Sequence, residues 1–204
     1  MKKYLLLVAV LCSACNVLPE REPVALYRLP PPLLENSATG PLLSALRIDR
    51  PVTSEALAGN RLLILTGDNQ FQAFAGMRLA APVPLLWRDW LVDAFWRDGR
   101  TAGLSVASQG LRAPLELGGV LRSFHVDLTG AQPAAVIEFD ATLIDTVNRQ
   151  IVASRRFETR RVMAVVEESA AVTALGLAAS QLVVELIDWV VGQEERLLPG
   201  PDKD

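Results

Sequence analysis

Apolar residues recur along this chain with two periods, and each switch between them marks an element. From residue 24 to residue 75 the runs are short and interrupted. Val24 to Leu29 predicts a first strand that Pro30-Pro31-Pro32 must end, because proline has no N–H to give a ladder. Leu33 to Leu43 carries no period and reads as irregular chain. Leu46-Arg47-Ile48, Arg61 to Thr66 and Phe71 to Ala75 predict short strands, the last after a Gly67-Asp68-Asn69 turn.

Beyond Pro82 and Pro84 the period becomes helical. Trp87, Trp90, Leu91, Ala94 and Phe95 recur on one stripe, with Arg88, Asp89, Asp93 and Arg97 on the other flank, which predicts an amphipathic helix ending near Gly99. A period of two follows. Val120, Phe124, Val126 and Leu128 fall on one strand face, leaving Ser123, His125 and Asp127 on the other. Ala135, Ile137, Phe139, Ala141 and Leu143 alternate with Glu138, Asp140 and Thr142. Asn148 sits at a turn, so Ile151 to Val165 is expected to return antiparallel as a hairpin.

The last run, Ser169 to Gly192, is apolar enough to raise the question of a bilayer span. Gln181, Glu185 and Asp188 form a narrow polar stripe opposite Val172, Leu175, Leu182, Leu186 and Val190. Each acid would cost roughly 2.5–3.5 kcal/mol at mid-bilayer, so the stripe reads as the wet side of a helix packed on a sheet. The fold class that results is α/β of the α+β type. A mostly antiparallel sheet is backed by two main helices in one domain over residues 24–192, with residues 193–204 as a flexible tail.

The N-terminus alters this picture. Lys2 and Lys3, the apolar run Tyr4 to Leu11 and Cys12-Ser13-Ala14-Cys15 follow the order of a secretory signal. Residues 1–14 are the expected signal peptide and residues 15–23 a tether. Small Ser13 and Ala14 before a cysteine resemble a lipobox, which makes Cys15 the lipidation site; Cys12 would place Leu11 beside the cut. Mature residues carry 18 basic against 23 acidic groups, a formal charge of 18 − 23 = −5. Nucleic-acid binding relies on basic patches and is not expected. Lys203 is the one lysine left, so a buried catalytic lysine is excluded.

Candidate chemistry is sparse. One histidine and no free mature cysteine are too few for a zinc site, and no metal or cofactor is expected. Gly103-Leu104-Ser105-Val106-Ala107 approximates a nucleophile elbow, but only Glu116 lies between Ser105 and His125, too little chain for that catalytic order. A plain strand is the favoured reading. His125 with Asp127 is an acid–base pair or an ordinary polar face. Asp89 and Asp93 are a cation site or a solvated flank. Arg155, Arg156, Arg160 and Arg161 touch lipid headgroups or an acidic partner, or pair across strands with Glu138 or Asp140. Trp96 falls off the helix stripe that holds Trp87 and Trp90, which makes it the candidate partner-binding anchor.

The order of these features resembles the auxiliary lipoproteins of ABC-type transport systems, including the PqiC-like proteins that accompany MCE-domain lipid transporters. The resemblance rests on Cys15, Ala25-Leu26-Tyr27-Arg28-Leu29-Pro30, Pro84-Leu85-Leu86-Trp87, the paired strands from Leu117 to Leu143, and a C-terminal helix with Asp188-Trp189. Gln70-Phe71-Gln72-Ala73-Phe74 stands where the family has a tyrosine-rich stretch. The resemblance implies a non-enzymatic periplasmic component of an intermembrane lipid transport system, and the domain is expected to act as a homo-oligomer. Its implied partners are an MCE-domain periplasmic protein and ABC transporter subunits. Asn16 after the lipid cysteine implies anchoring to the periplasmic face of the outer membrane. The alternatives are an outer-membrane assembly factor and a periplasmic lipid-binding carrier; a carrier needs a large apolar cavity, a docking partner a filled core and an exposed apolar interface.

Overall fold

A computed structural model describes residues 23–37 and 40–197, with side chains through Gln193. The signal segment, Cys15 and most of the tether therefore lie outside the described residues. Three long strands form the frame: β8 (Leu115–Asp127), β9 (Ala134–Asp145) and β10 (Gln150–Val162), joined as an antiparallel meander. The other edge of β8 carries a relay of short strands, all parallel to it. These are β2 (Leu46–Ile48), β3 (Val52–Thr53) and β4 (Leu63–Leu65). Outside them, β5 (Phe71–Ala73) pairs antiparallel with β4 and β7 (Leu104–Val106) parallel with β2. A separate two-stranded sheet joins β1 (Ala25–Tyr27) to β6 (Met77–Leu79). The α+β class holds, with parallel pairing confined to the short strands.

Helix α1 (Val83–Asp98) starts with proline in its first turn, where a missing N–H costs nothing, and ends at Gly99 in the left-handed conformation. Its stripe is the expected one. Trp87 is fully buried, stacks on Trp90 at 5.7 Å and meets the edges of Phe124 and Phe139. Trp90 Nε1 donates to the Pro30 carbonyl at 2.8 Å.

Helix α2 (Glu168–Leu197) is long and apolar enough to cross a membrane, yet most of its apolar surface is covered by the sheet. Gln181, Glu185 and Asp188 face solvent, while Leu175, Leu182, Leu186 and Val190 are buried. The helix continues past Gly192 to Leu197, so the expected tail is helical in its first five residues, 193–197. Nothing in Gln193-Glu194-Glu195-Arg196-Leu197 breaks a helix; the first proline comes at position 199. The irregular chain after β1 is pinned to this helix. Gly176 leaves room for the Pro30 ring, a Cβ there falling 2.7 Å from its Cδ, and the Leu33 N–H donates to Ser180 Oγ at 3.1 Å.

One strand departs from its expected phase. In β9 every odd residue from Ala135 to Leu143 is buried. In β8 the core residues are Leu115, Leu117 and Leu121, then Phe124 and Val126. A bulge between Leu121 and Ser123 inserts Arg122 and flips the alternation, which puts Val120 on the face away from Phe124. The strand also begins at Leu115, ahead of the expected Val120. β3 and β6 were not expected at all, being too short to show a period.

Candidate docking surface

The residues that looked reactive are each accounted for by structure. Ser105 lies in mid-strand β7, level through Arg47 with Glu116 on β8. His125 is nine positions further along β8, roughly 30 Å at strand rise, so the two never meet. His125 is buried against the edge of the Phe71 ring, and its Nδ1 has no hydrogen-bond partner among the described residues. Burial holds the imidazole below its usual pKa, with Asp127 pulling upward and Arg160 down. Asp127 is not its acid–base partner. That carboxylate accepts from the Thr129 N–H and hydroxyl and from Arg160 Nη1 at 2.5 Å. Burial raises its pKa, and the bonds from Arg160 and Thr129 overcome this and hold it at about 2.

The four arginines of β10 do not form one basic cluster, because successive strand residues face opposite ways. Arg156 bonds Asp140 at 2.6 Å and Glu138 at 3.1 Å, and Asp140 also takes Arg122. Arg160 reaches Asp127 across β9. Arg155 lies on the helix side, 4.6 Å over the Phe157 ring and 3.1 Å from Glu185. Cross-strand pairing accounts for Arg156 and Arg160, with Glu138 and Asp140 as the expected partners of Arg156, whereas Arg155 pairs with the helix. Asp89 and Asp93 are likewise held by Arg88 and Arg97, and no three potential metal ligands converge among the described residues. Arg100 was not singled out by the sequence. It bonds Asp98 at 2.8 Å and Asp188 at 2.7 Å, raising its own pKa and tying the end of α1 to α2.

What remains without an internal role is apolar and exposed. Trp96 is 58% exposed on the last turn of α1, five residues before Thr101, which bridges to Leu43 ahead of β2. Trp87 and Trp90 of the same helix are core residues, and Trp96 lies off their stripe and exposed, as its spacing predicts. Further along the same end of the sheet, where Leu115 pairs with Asp145, Leu111, Val147 and Ile151 are 56%, 78% and 68% exposed. Sequence reasoning missed these three. The signal was a valine placed inside a predicted turn, where polar residues are the rule. The hollows beside these surfaces are open: one of about 520 Å³ lies between Arg28, Pro31, Trp90 and Arg97, and one of about 470 Å³ between Arg112, Pro114 and Val147.

Comparison with known proteins bears on the family and the fold. The chain is 32% identical over 167 residues to an uncharacterised protein of Bradyrhizobium diazoefficiens; the match covers 81% of this chain and 44% of that relative, so the chain spans less than half the relative's length. The crystal structure of protein XCC0632 from Xanthomonas campestris superposes with a TM-score of 0.76 at 24% identity, covering 84% of this chain and 98% of that one. The hypothetical protein CT253 from Chlamydia trachomatis matches at a TM-score of 0.52 and 9% identity, over 74% of this chain and 97% of that one. Both likenesses are of fold. The model of the ABC-type transport auxiliary lipoprotein component matches residues 27–186, from β1 through most of α2, and the chain belongs to that family.

Proposed function

We propose that the mature protein is a non-catalytic docking component, lipid-anchored through Cys15 to the periplasmic face of the outer membrane, in an MCE-type intermembrane lipid transport system. It works there as a homo-oligomer, with the MCE-domain periplasmic protein and the ABC transporter as its partners. Trp96 carries the reading. A large aromatic left 58% exposed at the rim of a filled core is the kind of side chain that dominates an interface. Against the carrier alternative stands the interior, where Trp87, Phe95, Phe124 and Phe139 fill the space a lipid would need. Against catalysis stands the separation of Ser105 from His125.

The test is capture of the MCE-domain subunit by the full-length lipidated protein. Trp96→Ala should weaken capture by more than about 1 kcal/mol, roughly fivefold, with the melting temperature barely changed. Ser105→Ala and His125→Ala should leave it intact. Cys15→Ala should block lipid labelling and leave either unprocessed precursor or soluble domain. Equal capture by Trp96→Ala, or loss of it in a well-folded Ser105→Ala, sinks the proposal.

A further inference from the structure

Resting on the docking reading, the geometry points to a specific contact surface: the β9–β10 hairpin tip together with the Leu111–Pro114 loop, shaped for an acidic-rimmed apolar patch on a periplasmic transport subunit. Three aliphatic side chains, Leu111, Val147 and Ile151, are more than half exposed there. They are held in place and are not simply left over. The Thr146 hydroxyl donates to the Ala113 carbonyl at 2.5 Å and the Thr146 N–H to Pro114 at 2.9 Å, which fastens the tip to the loop. Arg47 bonds Glu116 and reaches the Leu111 carbonyl, fixing the loop's other end. The Asp145 carboxylate accepts from the Val147 and Asn148 N–H groups, which sets the turn and keeps that carboxylate below its usual pKa. A preorganised apolar surface binds with less ordering cost than a mobile one.

Charge and position select the occupant. Arg112 and Arg149 are exposed and have no ion-pair partner among the described residues; Glu116 is paired with Arg47, and Asp145 stays ionised in its turn, so the three arginines outnumber the two acids by one. On a domain of mature charge −5, this tip is locally basic, which favours an acidic partner. Position limits how the anchored chain can present the tip. The described chain begins beside Gly76, to which the Ala25 N–H donates; Phe74, two residues earlier, bonds Leu62 next to the Leu63–His125 pair. The tip lies at the other end of β8, ten positions away, roughly 33 Å. Nine residue steps from Cys15 to Val24 span at most about 32 Å fully extended. The tip reaches the lipid itself only with the tether fully stretched along the strand. With the strands upright on the anchor, the tip stands toward the periplasm.

The experiment places a photo-cross-linking residue at position 147 of the full-length lipidated protein in intact cells and identifies adducts by mass spectrometry. An adduct to the periplasmic domain of a transport subunit is expected, reduced at least tenfold by Arg112→Glu with Arg149→Glu and unchanged by Val162→Asp at the opposite end of β10. An adduct of the same charge dependence to a periplasmic protein outside any transport system would uphold the tip and overturn the docking partner proposed above. Adducts only to lipid, adducts only to a second copy, or none from a functional protein, would overturn the tip itself. Circular dichroism of each variant, whose altered side chains are all exposed, checks that the fold is unchanged.

Discussion

The two sides of the β8–β9–β10 meander are cut from the same three strands and are held by different forces. Toward the helices, Leu117, Leu121, Phe124, Ile137, Phe139 and Phe157 meet Trp87, Leu182 and Leu186 in a continuous apolar core. On the other side, Asp127, Glu138 and Asp140 meet Arg122, Arg156 and Arg160 in ion pairs, most of them open to water. The core gains from removing large apolar areas from water, about 25 cal/mol per Å². The ionic side gains little per pair, because solvent screens it and long arginine chains lose freedom. The inner side therefore dominates stability, while the outer side matches Arg156 to Asp140 and Arg160 to Asp127 across the strands.

The largest break in this contrast should come from Leu186→Asp. It puts a charge on a fully buried helix position, at a cost of about 4 kcal/mol or more, read as loss of the cooperative melt. Gly119→Ala comes next. Gly119 has φ +137, and a Cβ there would run into the Asp140 carbonyl of the neighbouring strand; about 2–3 kcal/mol of strain is expected in denaturant titration.

Asp127→Asn, on the ionic side but the most buried of its acids, should cost about 1.5 kcal/mol by removing the charge from its bond with Arg160. Its pH dependence sharpens the point. The carboxyl is held at about 2 against a usual 3.8, so its stabilisation is complete above 3.8 and is lost as pH falls through 2. Wild type and variant should therefore converge in acid; a gap that persists at pH 2 would mean the carboxylate charge is not what matters. The smallest effect belongs to Arg156→Gln, a solvent-screened position whose loss should barely move the denaturant midpoint, and move it less still in high salt. A larger loss would erase the distinction between the two sides.

Legibility in the sequence followed the same divide. Where one side of an element is buried over many residues, the alternation is visible: β9, both helices and the wet stripe of α2 lie where the apolar pattern places them. In β8 the alternation holds from Ser123 to Asp127 and fails at Val120, because a single inserted residue, Arg122, resets the period, and no local composition announces a bulge. β3 and β6, two and three residues long, exist only through their neighbours on β8 and β1. Trp96 was legible as an aromatic off its helix stripe. The hairpin tip was not, because its three aliphatic residues come from two distant segments that meet only when Thr146 bonds Ala113 and Pro114. Cys15 is readable from sequence alone and lies outside the described residues.

The seating of Pro30 against Gly176, and of Leu33 on Ser180, sets a timetable for a chain made N-terminus first. The proline segment is among the first to emerge, and its binding site is among the last. Until residue 180 has been delivered, residues 30–33 have no groove to occupy, and this long-range closure belongs to the slow class of contacts. The newborn chain thus holds this segment open, and withdraws it only when the final helix arrives.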